Sequence, residues 1–90
     1  MKTVKLYISG LVQGVFFRAF VKEKAEEIGV NGYVKNLDDG RVEVVIEGYD
    51  NDVNRMIEVC KKGPKGSRVK DIEMEKIKNQ NFEEFKISRF

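Results

Sequence analysis

Apolar and polar residues alternate from the start of the chain. Val4, Leu6 and Ile8 fall on one side and Lys5, Tyr7 and Ser9 on the other, the period-2 pattern of a strand with one buried face. A loop with two glycines follows, Gly10-Leu11-Val12-Gln13-Gly14-Val15. The period then changes. Phe17, Phe20, Val21, Ala25 and Ile28 recur at offsets of three and four, while Lys22, Glu23, Glu26 and Glu27 face away, which predicts a helix stopped by Gly29. Residues 30–37 read as a second strand and Asp38-Asp39-Gly40 as a hairpin turn. Val42, Val44 and Ile46 form the buried side of a third strand, with Glu43 and Glu47 facing outward and Gly48 ending it. Asp50 or Asn51 is expected to cap a second helix. Its apolar positions are Val53, Met56, Ile57 and Cys60, and Gly63-Pro64 ends it. Residues 69–78 form a fourth strand. Ile72, Met74 and Ile77 do not keep one register there, so a bulge or a shifted boundary is expected. After an Asn79-Gln80-Asn81 turn, Phe85 and Ile87 mark a short last strand.

The order β-α-β-β-α-β, with one more strand at the end, matches the split βαβ, ferredoxin-like plan. It predicts an α+β sandwich with two helices on one face of an antiparallel sheet and the other face toward solvent. At 90 residues the chain is expected to form a single domain, residues 1–90. Such sheets carry many unrelated activities, so the plan alone assigns no function.

Composition narrows the chemistry. There is no histidine, which excludes Ser-His-Asp and Cys-His machinery and any imidazole base or metal ligand. One cysteine, Cys60, excludes an intramolecular disulfide and a thiolate zinc cluster; on the apolar face of a helix it reads as an inert buried thiol. No apolar run approaches the ~18 residues of a membrane span, and Met1-Lys2-Thr3-Val4-Lys5 is charged where a signal peptide is apolar. A soluble, cytoplasmic protein without membrane association is expected. The net charge of +2 is too small to imply nucleic acid. The third strand also lacks the exposed aromatics of an RNA-binding sheet and carries two acids, so nucleic acid is not an expected partner. The basic run Lys61, Lys62, Lys65, Arg68 and Lys70 reads as a solvated loop.

The loop after the first strand is the first place where chemistry fits. Gly14 lets the backbone approach a ligand and take positive φ. The amides of Gly14, Val15, Phe16 and Phe17 can then converge at the start of the first helix, whose positive end favours an anion. Arg18 adds a permanent charge and a fork of donors that fits a phosphate. Neither the Walker A loop nor the Gly-x-Gly-x-x-Gly fingerprint is present. Taken alone, the loop reads as an ordinary strand-to-helix turn with a surface arginine. Asn36, taken alone, reads as a strand-end residue before a hairpin.

Two blocks reverse that balance. Residues 10–18, Gly-Leu-Val-Gln-Gly-Val-Phe-Phe-Arg, resemble the acylphosphatase signature Gly-x-Val-Gln-Gly-Val-x-Phe-Arg without departure. Residues 32–43, Gly-Tyr-Val-Lys-Asn-Leu-Asp-Asp-Gly-Arg-Val-Glu, resemble the family's second block, Gly-x-Val-x-Asn-x-x-Asp-Gly-x-Val-Glu. Gly63-Pro64 matches a further family feature, with Ser67 where alanine is usual. The resemblance implies hydrolysis of a carboxyl-phosphate anhydride to carboxylate and inorganic phosphate. It implies that Arg18 binds the phosphate, that the Asn36 amide positions the attacking water, and that the backbone of Gln13, Gly14, Val15, Phe16 and Phe17 cradles the phosphate. It implies no cofactor and no metal. The partners it implies are a small acyl phosphate, with phosphate or another small oxyanion as product or inhibitor, and a monomer is expected. A different class stays open beside it: a regulatory or anion-binding module that keeps the cradle without turnover, since similar domains begin the larger hydrogenase-maturation carbamoyltransferases.

Overall fold

A computed structural model describes residues 1–89. The elements are β1 (Lys2–Leu11), α1 (Phe17–Ile28), β2 (Asn31–Asn36), β3 (Val42–Gly48), α2 (Asp50–Lys62), β4 (Arg68–Ile77) and β5 (Phe85–Ile87). They build a five-stranded sheet in the order β4-β1-β3-β2-β5. The first four strands pair with one another antiparallel, as the ferredoxin-like plan requires, and β5 runs parallel to β2 at the edge, which makes the sheet mixed. Val4, Leu6 and Ile8 of β1 and Val42, Val44 and Ile46 of β3 pack under Phe17, Val21 and Ala25 of α1 and Val53, Met56, Ile57 and Cys60 of α2. Cys60 is a free thiol in this core, and burial pushes its pKa up to about 12, so it is protonated and unreactive near neutrality.

Local backbone chemistry sets the joints. Gly32 has φ +141, and a Cβ there would lie 1.9 Å from the Val45 carbonyl oxygen; only glycine lets β2 approach β3 this closely. Between Ser9 and Gly10 the β1–β4 register slips from Asp71 to Val69. This makes Lys70 the extra residue of a β-bulge. Ile77 breaks the apolar pattern of β4 for a separate reason. It pairs with Thr3 on the face away from the helices, whereas Ile72 and Met74 pair with Ile8 and Leu6 on the helix side. The basic run is divided among elements: Lys61 and Lys62 occupy the last turn of α2, where they complement its dipole, and Arg68 and Lys70 lie in β4. Ser67 donates its hydroxyl to the Pro64 carbonyl at 2.6 Å, a bond alanine could not make.

Two expectations are corrected. The α2 N-cap is Tyr49, not Asp50 or Asn51, and no side chain caps it; Asp50 and Asp52 instead lie in the first turn, where a carboxylate favours the helix dipole. Glu43 and Glu47 do not face solvent. They are 6% and 3% exposed, because the face away from the helices is partly covered. β4 and β5 lie at opposite edges, roughly 19 Å apart at the usual strand spacing. The eight steps from Ile77 to Phe85 reach roughly 27 Å at full extension. The connection must therefore run nearly straight across the sheet. Phe82 meets Tyr33 edge-on at 6.0 Å, and Asn31 Nδ2 donates to the Phe82 carbonyl.

Glu47 pins this crossing. Its carboxylate accepts hydrogen bonds from Thr3 Oγ1, from the Gln80 N–H and from the Phe82 N–H. Burial acts to raise its pKa, but these bonds outweigh it and hold the group below its ordinary 4.5. Glu43 accepts from Tyr33 Oη at 2.6 Å and faces Lys35 Nζ at 3.7 Å. Replacing Glu47 by alanine strands the Gln80 and Phe82 amides and leaves the Thr3 hydroxyl only Asn79 Oδ1 as acceptor. Urea unfolding should show a loss of about 2–4 kcal/mol. Because the folded pKa is lowered, the stabilisation is present above pH 4.5 and is lost as pH falls through the folded value. The stability gap between wild type and Glu47→Gln should therefore be full above the ordinary 4.5 and close as the pH falls below it, through the lowered folded value. A gap that stays constant would remove the role assigned to the carboxylate.

Candidate active site

The β1–α1 loop folds as it does because two residues take left-handed backbone angles. Gly14 has φ 73 and Phe16 has φ 58. The first is free for glycine. The second costs a residue with a Cβ about 1–3 kcal/mol and concentrates at functional sites. Phe16 is also 86% exposed, while Phe17 turns into the core and Phe20 is half-buried against it. Phe16 is the N-cap of α1 and makes no side-chain cap bond. The N–H groups of Gly14 through Ala19 find no acceptor among the described residues.

The two helices differ in how their N-termini are treated. The first turn of α2 holds Asp50 and Asp52. The first turn of α1 holds no acid; it holds Arg18, a cation at the positive end of the dipole. A charge of that sign costs a few tenths of a kcal/mol up to about 1 kcal/mol there. Local rules of this kind are broken mainly where function requires it.

Arg18 and Asn36 meet in one cavity of about 300 Å³, lined also by Val12, Gly14, Phe16, Phe17, Ala19, Ile87 and Arg89. That volume is at the small end of ligand pockets. Asn36 is the last residue of β2. Its Oδ1 is buried and has no hydrogen-bond partner among the described residues, which costs about 1–3 kcal/mol unless a ligand or water supplies a donor. Among the described residues no carboxylate lines the cavity and Arg18 forms no ion pair.

Of the residues expected in the cradle, Gly14, Phe16 and Phe17 line the cavity. Val15 packs against the core instead. Gln13 turns its side chain away: Nε2 donates to the carbonyls of Leu37 at 2.8 Å and Arg41 at 2.9 Å. It thus ties the cradle loop to the base of the β2–β3 hairpin, one residue from Asn36. Asp39 turns that hairpin, accepting from the Arg41 N–H and Nε; these bonds hold its carboxyl below the ordinary range. The long side chain of Gln13 and its place in the loop were the only sequence signals of this tie. Arg89 also lines the cavity, a residue that no motif in the sequence marks.

A ferredoxin-like sheet that brings a helix N-terminus, a guanidinium and a buried amide to one small cavity has the donors and positive field to hold a compact oxyanion. Comparison with known proteins narrows the class. The family model described as acylphosphatase matches residues 4–87. An acylphosphatase of Haloarcula marismortui is 53% identical over 70 residues, covering 78% of this chain and 77% of that one. One of Methanocella arvoryzae is 43% identical, covering 92% and 98%. The crystal structure of acylphosphatase from Bacillus subtilis superposes with a TM-score of 0.95 at 37% identity, covering 98% of this chain and 99% of that one. The chain belongs to the acylphosphatase family. The resemblance drawn from residues 10–18 and 32–43 is borne out, and with it a hydrolase whose substrate is a small acyl phosphate and whose product is phosphate. Among the described residues no helix is long and apolar enough to cross a membrane.

Proposed function

We propose that this chain hydrolyses acyl phosphates by a substrate-assisted, metal-independent route, with Arg18 and the 13–17 backbone binding the phosphate and Asn36 holding the water. The observation that carries this reading is the first turn of α1, which lacks any acid and holds Arg18 beside unpaired amides. The buried, unpartnered Oδ1 of Asn36 in the same cavity supports the second role.

The chemistry matches these parts. Water held by Asn36 Oδ1 attacks phosphorus, the bond from phosphorus to the acyl oxygen breaks, and the electron pair leaves with the carboxylate. That leaving group has a conjugate acid of pKa ~4, so no general acid is required. Asn36 is neutral and cannot take the water's proton; a phosphate oxygen accepts it. The transition state is loose, with charge spread over the phosphoryl oxygens, and needs positioning and positive field more than covalent help. Arg18, the amides and the helix dipole supply that field. A free, buried cysteine accords with a reducing, cytoplasmic setting.

Hydrolysis of benzoyl phosphate in EDTA, with Arg18→Ala in parallel, tests the reading. Rapid turnover that the variant loses is expected; a folded wild type without turnover would make the cradle a binding module. The Gln13 tie gives a second prediction. Gln13→Ala should lower stability by about 1–2 kcal/mol and kcat by about tenfold, with a smaller change in KM, because it loosens the cradle relative to Asn36. Gln13→Glu should be worse than alanine, since its carboxylate would face two carbonyl oxygens. Equal stability of Gln13→Glu and wild type would show that the two bonds are immaterial.

A further inference from the structure

The cavity contains two guanidinium groups, and the phosphate role uses one. Arg18 is half-buried in the first turn of α1, whereas Arg89 is exposed. The position of Arg89 follows from the strand register. β5 pairs with β2 in parallel, with Phe85 opposite Gly32, Lys86 opposite Tyr33 and Ile87 opposite Val34. The Ser88 N–H then donates to the Val34 carbonyl at 2.8 Å. Two residues further in the same register, Arg89 comes beside Asn36. Period-2 alternation puts both on the helix side with Val34 and Ile87, and Asn36, Ile87 and Arg89 all line the cavity.

Among the described residues, no acid balances the charges of these two groups. Among the described residues no carboxylate lines the cavity and neither arginine forms an ion pair. Glu84, the nearest acid before β5 in the chain, is engaged by Lys86 at 3.7 Å. Two like charges sharing one small cavity repel, and an anion with two separated charge centres satisfies both. Their depths order the two roles. A phosphate held at the α1 N-terminus by Arg18 leaves the acyl group to extend toward the mouth, where the exposed guanidinium stands.

We propose that Arg89 is a specificity-determining residue that selects acyl phosphates whose acyl group bears a second anionic substituent, a carboxylate or a phosphate. This rests on the hydrolase reading of the same cavity, with Arg18 on the transferred phosphate.

The test compares benzoyl phosphate with 4-carboxybenzoyl phosphate, whose rigid ring prevents the carboxylate from attacking its own anhydride. The readout is the ratio of kcat/KM for the charged substrate over the neutral one. Arg89→Ala should lower that ratio about 3- to 10-fold, the range of a partly screened guanidinium–carboxylate pair, and the change should appear in KM. Arg89→Lys should keep most of the ratio, because charge suffices, and Arg89→Glu should depress it further than alanine. High salt should shrink the wild-type ratio toward that of Arg89→Ala. A ratio unchanged in Arg89→Ala and Arg89→Glu overturns the proposal, even if both rates fall, because Arg89 would then act on the shared phosphate. A wild type that hydrolyses neither compound overturns the hydrolase reading itself, and this inference with it.

Discussion

Arg18→Ala will hydrolyse benzoyl phosphate with kcat/KM lowered by about 10³ or more, while folding at least as stably as wild type. The rate loss follows from the position of the charge. Removing one preorganised donor from a site of charge development costs ~10²–10³, and a guanidinium that stabilises phosphoryl transfer is worth ~10³–10⁵. Arg18 is the guanidinium in the first turn of α1, where no acid offsets it. Arg18→Lys should recover only a minor part, since a point charge cannot donate two parallel bonds to neighbouring phosphate oxygens. The stability half of the prediction is independent of turnover. A cation in the first turn opposes the helix dipole, and Arg18 has no ion pair to lose among the described residues. Thermal unfolding should therefore show an unchanged or slightly raised Tm. A rate within tenfold of wild type, or a clearly lowered Tm, would remove Arg18 from the role assigned to it.

The same local rule explains why some of this molecule was legible in its sequence and some was not. Alternation and helical spacing depend on neighbours in the chain, so the strands, helices and their buried faces follow from residues such as Val4, Leu6 and Ile8 or Val53, Met56 and Ile57. Alternation also states that Glu43 and Glu47 share a face with Tyr7 and Tyr33. It cannot state whether that face is covered. The cover is the connection between β4 and β5, which has one large apolar residue, Phe82, and no periodicity; its path is set by the strand order. The glutamates could be buried because distant partners satisfy them: Thr3, Gln80 and Phe82 for Glu47, and Tyr33 and Lys35 for Glu43. In the candidate site, Gly14 and Arg18 carry local signals. The Gln13 side chain reaches the hairpin and Arg89 reaches the cavity through the pairing of β5 with β2, which no spacing within their own segments reveals.

Asn36→Ala should separate activity from stability most sharply. The asparagine ends β2 with its Oδ1 buried and unpartnered, an arrangement that costs about 1–3 kcal/mol in the absence of a donor. Alanine removes that oxygen and leaves a small void in a cavity that is already open, so little packing is lost. The folded state should be as stable as wild type or more stable by up to about 1 kcal/mol. With the amide gone, nothing holds the water opposite the leaving carboxylate, and kcat should fall by about 10²–10³. KM should change little, because the phosphate keeps Arg18 and the amides of the loop. Asn36→Asp adds a control: its carboxylate can accept from water but repels the bound phosphate, so KM should rise as well as kcat fall. Steady-state kinetics with benzoyl phosphate and urea unfolding of the three proteins provide both readouts. An unchanged kcat in Asn36→Ala would sink the role of the amide, and a loss of stability that matches the loss of rate would make Asn36 a structural residue. A protein that gains stability as it loses turnover would instead show that the buried oxygen is kept for the water it holds.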